Sequence, residues 1–452
     1  MHRGLVGHVL FPLHEWLKGK PTFPWLARLE KTQWTDPRQL AELQWTRLQE
    51  HLRFAYAHVP YYRRLLDDHG LPPARLQSPE DFRRVPFLTR ELLRTRFDDL
   101  TARGKLGRVT RRTSGGSTGM PAVVLVDMNR LGFDEAVRLR AHRWFGLEPG
   151  AREICIWASP IELTRQDRLR VIRDWALNSR VVSAFEMNDV QMASHARTLS
   201  RFRPDKIFAY AHAMYVLARY LARARWTPPP GLRAIFTTAE MLFDFQRECI
   251  SQTFGVPVAR EYGARDVGVM AYECPRGGLH IAAEGMLLEI DGAGPDGLGE
   301  IVATNLHSAA MPIIRYRTGD MGQLDTEPCP CGRTLPCLKR LEGRRMDFLV
   351  MPDGRVMHPT AVVHIIREYQ PIREFQIVQE SVERLAIKIV PADGFSEATR
   401  QAILATVKRV VGERVAVDIE LTQAIPRAAS GKHRFVISKV ADEHLGSPAA
   451  AR

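Results

Sequence analysis

Apolar residues recur at three- and four-residue spacing in "DPRQLAELQWTRLQEHLRFAYAHV", Asp36 to Val59, which is the period of one helix face. Residues 1–105 consist of such stretches separated by Pro and Gly breaks, and the opening "MHRGLVGHVLFPLHEWLKGK" predicts an amphipathic helix. After Asp127 the rhythm changes. Short apolar runs ("EICIWAS", "DKIFAYA", "LRAIFTT") alternate with helical stretches ("MYVLARYLARA", "FDFQRECISQTF"), the alternation of a doubly wound α/β sheet. From Met286 the runs become closely spaced strands broken by the turn-rich "DGAGPDGLGE". Beyond Gly343, "MDFLVM", "EFQIVQ", "LAIKIV" and "VAVDIEL" mix with helices, one of them from about Pro359, in a compact α+β pattern. The predicted organisation is an α/β protein: a helical segment over 1–105, an α/β core with a β region over 106–342, and a small α+β domain over 343–452.

Between the first two parts lies "RRTSGGSTGMPAVVLVD", Arg111 to Asp127. Gly115 to Gly119 formally matches the G-x-S-x-G elbow of serine hydrolases, but that elbow needs a helix directly after the serine. Here a strand-like Ala-Val-Val-Leu-Val follows instead. A phosphate-binding Walker loop would end in Gly-Lys-Ser/Thr and open a helix, and neither is present. What remains is a hairpin loop. Its glycines let backbone N–H groups converge on an anion, and Ser114, Ser117 and Thr118 add hydroxyl donors. An ordinary polar turn has the same composition.

Composition narrows the picture. With 452 residues, 45% of them hydrophobic, the chain has ample material for a large core, and no apolar run approaches a membrane span. The net charge of +13 suits attraction of polyanions, yet the arginines are scattered and do not interleave with aromatics as in an RNA-binding surface. Six cysteines without a secretion signal point to a reducing cytoplasm. Cys155 and Cys249 fall inside apolar elements as buried structural thiols; the other four lie between positions 274 and 337, near His280.

Five further stretches follow the loop in order: "TTAE" (Thr237–Glu240) and "EYGARD" (Glu261–Asp266) at strand ends, "YRTGD" (Tyr316–Asp320) closing a β segment, "GRRMDFLV" opening the small domain, and "IPRAASGKHR" (Ile425–Arg434). Open α/β sheets bind ligands beyond the carboxyl ends of their strands, where the first two segments and the loop can converge. The ordered set resembles the adenylate-forming enzyme superfamily, and within it the phenylacetate-CoA ligase family with its capsular-polysaccharide-type relatives. The resemblance extends to "YAHVPYYRRLL" (Tyr56–Leu66) and "DFRRVPFLTRELLR" (Asp81–Arg94).

The resemblance implies a large domain with doubly wound sheets, a small mobile C-terminal domain, and a defined chemistry. ATP and a carboxylic acid give an acyl-adenylate and pyrophosphate; coenzyme A then displaces AMP. By the same resemblance Ser114, Gly115, Gly116, Ser117, Thr118 and Gly119 cradle the β and γ phosphates, with one glycine more than the commoner form of the loop. Ala239 and Glu240 line the adenine pocket, Tyr262 stacks on the base and Gly263 permits its approach. Asp266 stands where an acidic residue, usually Glu, helps hold Mg²⁺, and Arg265 where many relatives carry Ser or Thr. Asp320 accepts from the ribose hydroxyls and Arg344 lies near that sugar. Asp347 is the hinge of the small domain, although Met346 replaces an acidic residue often found beside it. Lys432 is the catalytic cation, offsetting charge that grows between the α-phosphate and the attacking carboxylate.

Cys274 and His280 in "ECPRGGLH" and Cys329 and Cys331 in "CPCGR" have the composition of a closed structural Zn²⁺ site, with Cys337 as a spare; free buried thiols are the alternative. Zinc at such a cluster in some members of the family favours the metal. Trp157, Phe185, Tyr210, His212, Met214 and Tyr215 lie on segments that can line a pocket for an aromatic or apolar acid, or simply form core. The expected partners are therefore a small carboxylate, ATP and an acyl acceptor, with no nucleic acid and no membrane span. Two other readings stand beside it. The acceptor can be an amine, a carrier-protein thiol or a glycan hydroxyl, or the chain can be a zinc-containing basic nucleic-acid-binding protein, which leaves the ordered motifs unexplained.

Overall fold

The computed structural model describes residues 1–104, 107–113, 122–157, 168–184, 189–344, 349–353, 356–357, 360–369, 371–426 and 434–440. The chain divides into two compact units, the larger holding chiefly Met1–Thr318 and Gly322–Arg340, the smaller chiefly Gly319–Met321 and Leu341–Ala428.

In the larger unit the helical start is as the periodicity predicts: helices span Thr22–Thr32, Pro37–His58 and Pro60–Asp68. Asp36 caps the second of these, its carboxylate accepting from Arg38 N at 2.9 Å with Pro37 at the first helical position. Strands β1 (Val109–Thr113) and β2 (Val123–Asp127) pair antiparallel, with Thr113 opposite Val123, so the Gly/Ser stretch does join two strands of a hairpin. Asp127 then caps the helix Met128–Arg143.

The strands that follow are β3 (Glu153–Trp157), β4 (Ser179–Ser183), β5 (Lys206–Tyr210), β6 (Ala234–Thr238), β7 (Val258–Ala264), β8 (Gly268–Glu273), β9 (Leu279–Ile281), β10 (Met286–Asp291), β11 (Gly299–Asn305), β12 (Ile313–Leu324) and β13 (Cys337–Arg344). They form one eleven-stranded sheet in the order β10-β11-β12-β13-β9-β8-β7-β6-β5-β3-β4. Its β4-β3-β5-β6-β7 part is parallel, and the sheet turns antiparallel at β7-β8. The doubly wound part and the β region are thus continuous. Strand β12 also departs from expectation, for it runs through "YRTGD" to Leu324 where a strand end was predicted.

Two cores cover this sheet. In one, Met214 and Leu217 of the helix Ala211–Arg223 and Ile250 of the helix Asp244–Phe254 cluster with Ile156 and Ile207 of the sheet. In the other, Phe133 and Val137 of the helix Met128–Arg143 cluster with Phe208, Phe236 and Tyr272 of the sheet. Cys155 and Cys249 pack against these cores but are only half-buried.

The smaller unit has a two-stranded sheet, β14 (Leu349–Val350) with β15 (Val356–Met357). Its main sheet has four strands, β16 (Ile372–Ser381), β17 (Arg384–Pro391), β18 (Ala416–Leu421) and β19 (Val436–Ser438), in the order β18-β17-β16-β19. The helices Thr360–Arg367 and Glu397–Val411 accompany it. Among the described residues no helix is long and apolar enough to cross a membrane.

Candidate active site

Three motifs that are far apart in sequence meet beyond the carboxyl ends of β6 and β7. Tyr316, on β12, donates its hydroxyl to Asp266 Oδ2 at 2.7 Å, joining "YRTGD" to "EYGARD". Arg265 Nη1 donates to the Thr113 carbonyl at 3.4 Å, which ties the same turn to the start of the Gly/Ser loop. Asp266 is buried, its carboxylate held by the Tyr316 hydroxyl and shielded from bulk water.

The turn itself rests on a residue that sequence reasoning missed. Arg130, in the first turn of the helix Met128–Arg143 and almost wholly buried, donates from Nη1 to the Asp266 carbonyl and from Nη2 to the Arg265 carbonyl, both at 2.9 Å. Asp134, one turn on, faces the guanidinium at 3.8 Å and accepts from Val269 N at 3.1 Å. Burial raises the Asp134 carboxyl above its usual range, opposed by the Arg130 charge. A buried cation spent on backbone carbonyls fixes the shape of a loop, and nothing in the local pattern marks it.

"TTAE" forms a second rigid edge. Ala239, directly after β6, has φ of 70°, a left-handed conformation that costs a non-glycine residue about 1 kcal/mol and is held by its surroundings. Glu240 follows, and its Oε2 accepts from His212 N at 3.0 Å, so the carboxylate secures the start of the helix Ala211–Arg223. That bond places His212 beside the turn, while Tyr210 and Met214 on either side of it are buried in the core. Thr238 donates to Glu261 Oε1 at 3.1 Å, and Arg138 Nε reaches Glu261 Oε2 at 3.4 Å, locking the ends of β6 and β7 together. Tyr262 is buried on β7. A Cβ on Gly263 would meet the Gly268 carbonyl oxygen at 2.8 Å, so the β7-β8 bulge itself requires glycine there.

The "VPFLT" stretch runs along β12. Leu88 N donates to Arg315 O at 2.9 Å and Arg317 N to Leu88 O at 3.0 Å, and the Arg315 and Arg317 guanidiniums lie 4.3 and 4.2 Å from the Phe87 ring centroid. Asp320 sits farther along this strand, half-buried. Arg344 ends β13; its side chain lies outside the described residues, as do Ser114 to Gly119, Phe185, Met346, Asp347 and Lys432.

The cysteine cluster is assembled. One ligand atom from each of Cys274, His280, Cys329 and Cys331 lies within 4.8 Å of the others, with Cys274 Sγ 3.7 Å from Cys329 Sγ and His280 Nε2 3.1 Å from Cys331 Sγ. Tetrahedral Zn–S bonds of about 2.3 Å place sulfurs about 3.8 Å apart, so the donor set fits such an ion. His280 Nδ1 donates to the Leu335 carbonyl at 3.2 Å, which leaves Nε2 to face the sulfurs. Cys337 Sγ lies on the other ring nitrogen, 3.2 Å from Nδ1, and so falls outside the set. Burial pushes the Cys274 thiol up to about 12 and brings His280 down to about 4.

Comparison with known proteins agrees with this geometry. Residues 349–439 match the CapK C-terminal domain family. Over the longer chain, the phenylacetate-coenzyme A ligase of Thermus thermophilus is 28% identical, covering 89% of this chain and 97% of its own length. Protein CapK of Staphylococcus aureus is 23% identical, covering 89% and 90%. A solved structure of 2-hydroxyisobutyryl-CoA ligase in the postadenylation state superposes with a TM-score of 0.69 at 21% identity, covering 87% of this chain and 88% of the other. An anthranilate CoA ligase with anthranoyl-AMP gives 0.54 at 17% identity, covering 72% and 65%. The chain has the adenylate-forming fold, and its sequence relatives include phenylacetate-CoA ligases and CapK, as the ordered motifs imply.

Proposed function

We propose that the protein is an AMP-forming acid–thiol ligase: it activates a carboxylic acid with ATP through an acyl-adenylate and transfers the acyl group to coenzyme A. The observation that carries this reading is the meeting of the hairpin, the 265–266 turn and Tyr316 at the ends of β6 and β7, in a chain whose relatives include named CoA ligases.

In this reading Ser114 to Gly119 hold the β and γ phosphates, extending from the Thr113 carbonyl that Arg265 already grips. Tyr262 offers an aromatic face to adenine, the Ala239–Glu240 edge bounds the base, and Asp320 with Arg344 takes the ribose. Asp266 would hold Mg²⁺: with one oxygen fixed by the Tyr316 hydroxyl, the carboxylate keeps lone pairs for a hard cation, and that ion would supply charge neutralisation at the phosphates. Lys432 stabilises the charge that develops as the carboxylate oxygen attacks the α-phosphate and pyrophosphate leaves. The chain over 343–452 acts as the small mobile domain, turning about Asp347. The acid in this reading is aromatic or apolar, although Tyr210 is itself a core residue, its ring packed 4.3 Å from that of Trp157. Cys274, His280, Cys329 and Cys331 would hold a structural Zn²⁺, which with four protein ligands has no position for substrate.

The test is AMP release from ATP by the full chain with a panel of carboxylic acids, with and without coenzyme A. Acid-dependent AMP release matched by loss of free thiol is expected. Adenylation without thiol consumption would mean that another acceptor takes the acyl group; no acid-dependent AMP release would overturn the assignment.

A further inference from the structure

The first helical stretch, Arg3–Leu17, is turned inside out. Leu5, Val9, Leu13, Trp16 and Leu17, spaced as one helix face, are all exposed, Trp16 to 73%. The opposite side is docked on the protein: Val6 is fully buried, and a Cβ on Gly7 would meet the Pro149 carbonyl oxygen at 2.1 Å. The helix's one acidic residue also points inward. Glu15 is 1% exposed, its Oε2 accepting from the Thr22 hydroxyl at 2.6 Å and its Oε1 from Lys20 Nζ at 3.2 Å.

A second element continues the face. Asn178 Nδ2 donates to the Met1 carbonyl at 3.3 Å, which seats the end of the helix Arg168–Ala176 against the start of the first. On that helix Ile172 and Trp175, three apart on one side, are 60% and 65% exposed. Cations flank the apolar residues: Lys18 follows Leu17 and feels the like charges of Arg173, Lys20 and Arg108, while Arg173 also pairs with Asp174 at 2.5 Å and Lys20 with Glu15 at 3.2 Å. The surface therefore combines exposed tryptophans and aliphatics with an excess of positive charge, Lys18, Lys20, Arg108 and Arg173 against Glu15 and Asp174, on a chain of net charge +13.

We propose that this face docks the protein on an anionic membrane surface, lying in the headgroup region without crossing it. Aliphatic and indole side chains gain from leaving water at the depth of the headgroups, and Lys or Arg beside them gain from the negative surface potential. The acids beside the face are paired, Glu15 with Lys20 and Asp174 with Arg173, which limits their repulsion. A second copy of the chain is the weaker fit, because a two-fold contact through this face would set the Lys18–Arg173 cluster against itself.

The experiment is co-sedimentation of the full chain with vesicles of phosphatidylcholine containing about 30% phosphatidylglycerol, against vesicles of phosphatidylcholine alone. Binding to the anionic vesicles is expected, weakened by salt and by Lys18→Glu with Arg173→Glu. It should fall at least about tenfold in Trp16→Ser with Leu17→Ser and, independently, in Val9→Ser with Leu13→Ser. These side chains are exposed, so circular dichroism and acid-dependent AMP release without vesicles should stay as in the parent chain. No binding, equal binding to both vesicle types, or full binding by both serine variants overturns the proposal. So does a concentration-dependent dimer that the serine variants dissociate, which would make the face an interface between copies.

Discussion

The Tyr316 hydroxyl, on β12, donates to the buried Asp266 carboxylate, in the turn between β7 and β8, at 2.7 Å, joining residues fifty positions apart in sequence. A hydrogen bond to a charged group contributes about 1.5–3 kcal/mol. Tyr316→Phe is expected to lower adenylate formation about tenfold or more and to raise the Mg²⁺ concentration needed for half-maximal rate. Magnesium titrations of the variant check this; an unchanged requirement would separate Asp266 from the metal.

Arg130 supports the same turn from below, through the two backbone carbonyls of Arg265 and Asp266. Arg130→Met strands those carbonyls and leaves Asp134 without its cation, a loss of about 3 kcal/mol in stability for a buried charge left uncompensated. Denaturant unfolding measures it, and Arg130→Lys should recover only part, since an ammonium lacks the fork that spans both carbonyls.

Glu15 gives the stability a recognisable acid limb. Burial raises its carboxyl, but His14, Lys20 and Thr22 more than reverse this and bring it to about 2, below its ordinary 4.5. Its contribution is therefore full above about pH 4.5 and lost as pH falls toward 2. Melting temperatures between pH 6 and about 2.5 should fall less steeply in Glu15→Gln than in the parent chain; identical slopes would remove Glu15 from the acid response.

For the cysteine cluster, elemental analysis of protein prepared without chelators should give close to one zinc per chain. Chelation or Cys331→Ser should lower the melting temperature with little change in activity per folded molecule, because metal binding to the folded state is folding energy. Cys337→Ser should retain the metal, its sulfur lying on Nδ1 of His280 and away from Nε2. Metal-free protein of unchanged stability would return these residues to buried thiols.

What the sequence discloses and what it hides follow the range of the interactions. Helix Pro37–His58 and strand Ala234–Thr238 are legible because their periods are local. Cys274, His280, Cys329 and Cys331 are legible because few residue types can form such a set. The continuity of the sheet across β7-β8 is not, since pairing partners are chosen by tertiary packing. Arg130 is hidden for a related reason: it acts on backbone carbonyls more than 130 positions away, which carry no side-chain signature. Glu240 shows a third case. Read as a pocket wall, its carboxylate also holds His212 N and so positions a neighbouring helix.

The most direct test of the central claim is acid-dependent exchange of labelled pyrophosphate into ATP by the parent chain and by Lys432→Ala. At least one aromatic or apolar acid should support exchange in the parent chain, and the variant should lose about a hundredfold while remaining folded, the scale of one preorganised transition-state contact. Exchange by Lys432→Ala at the parent rate, or no exchange with any acid in a parent chain that binds ATP, would contradict it.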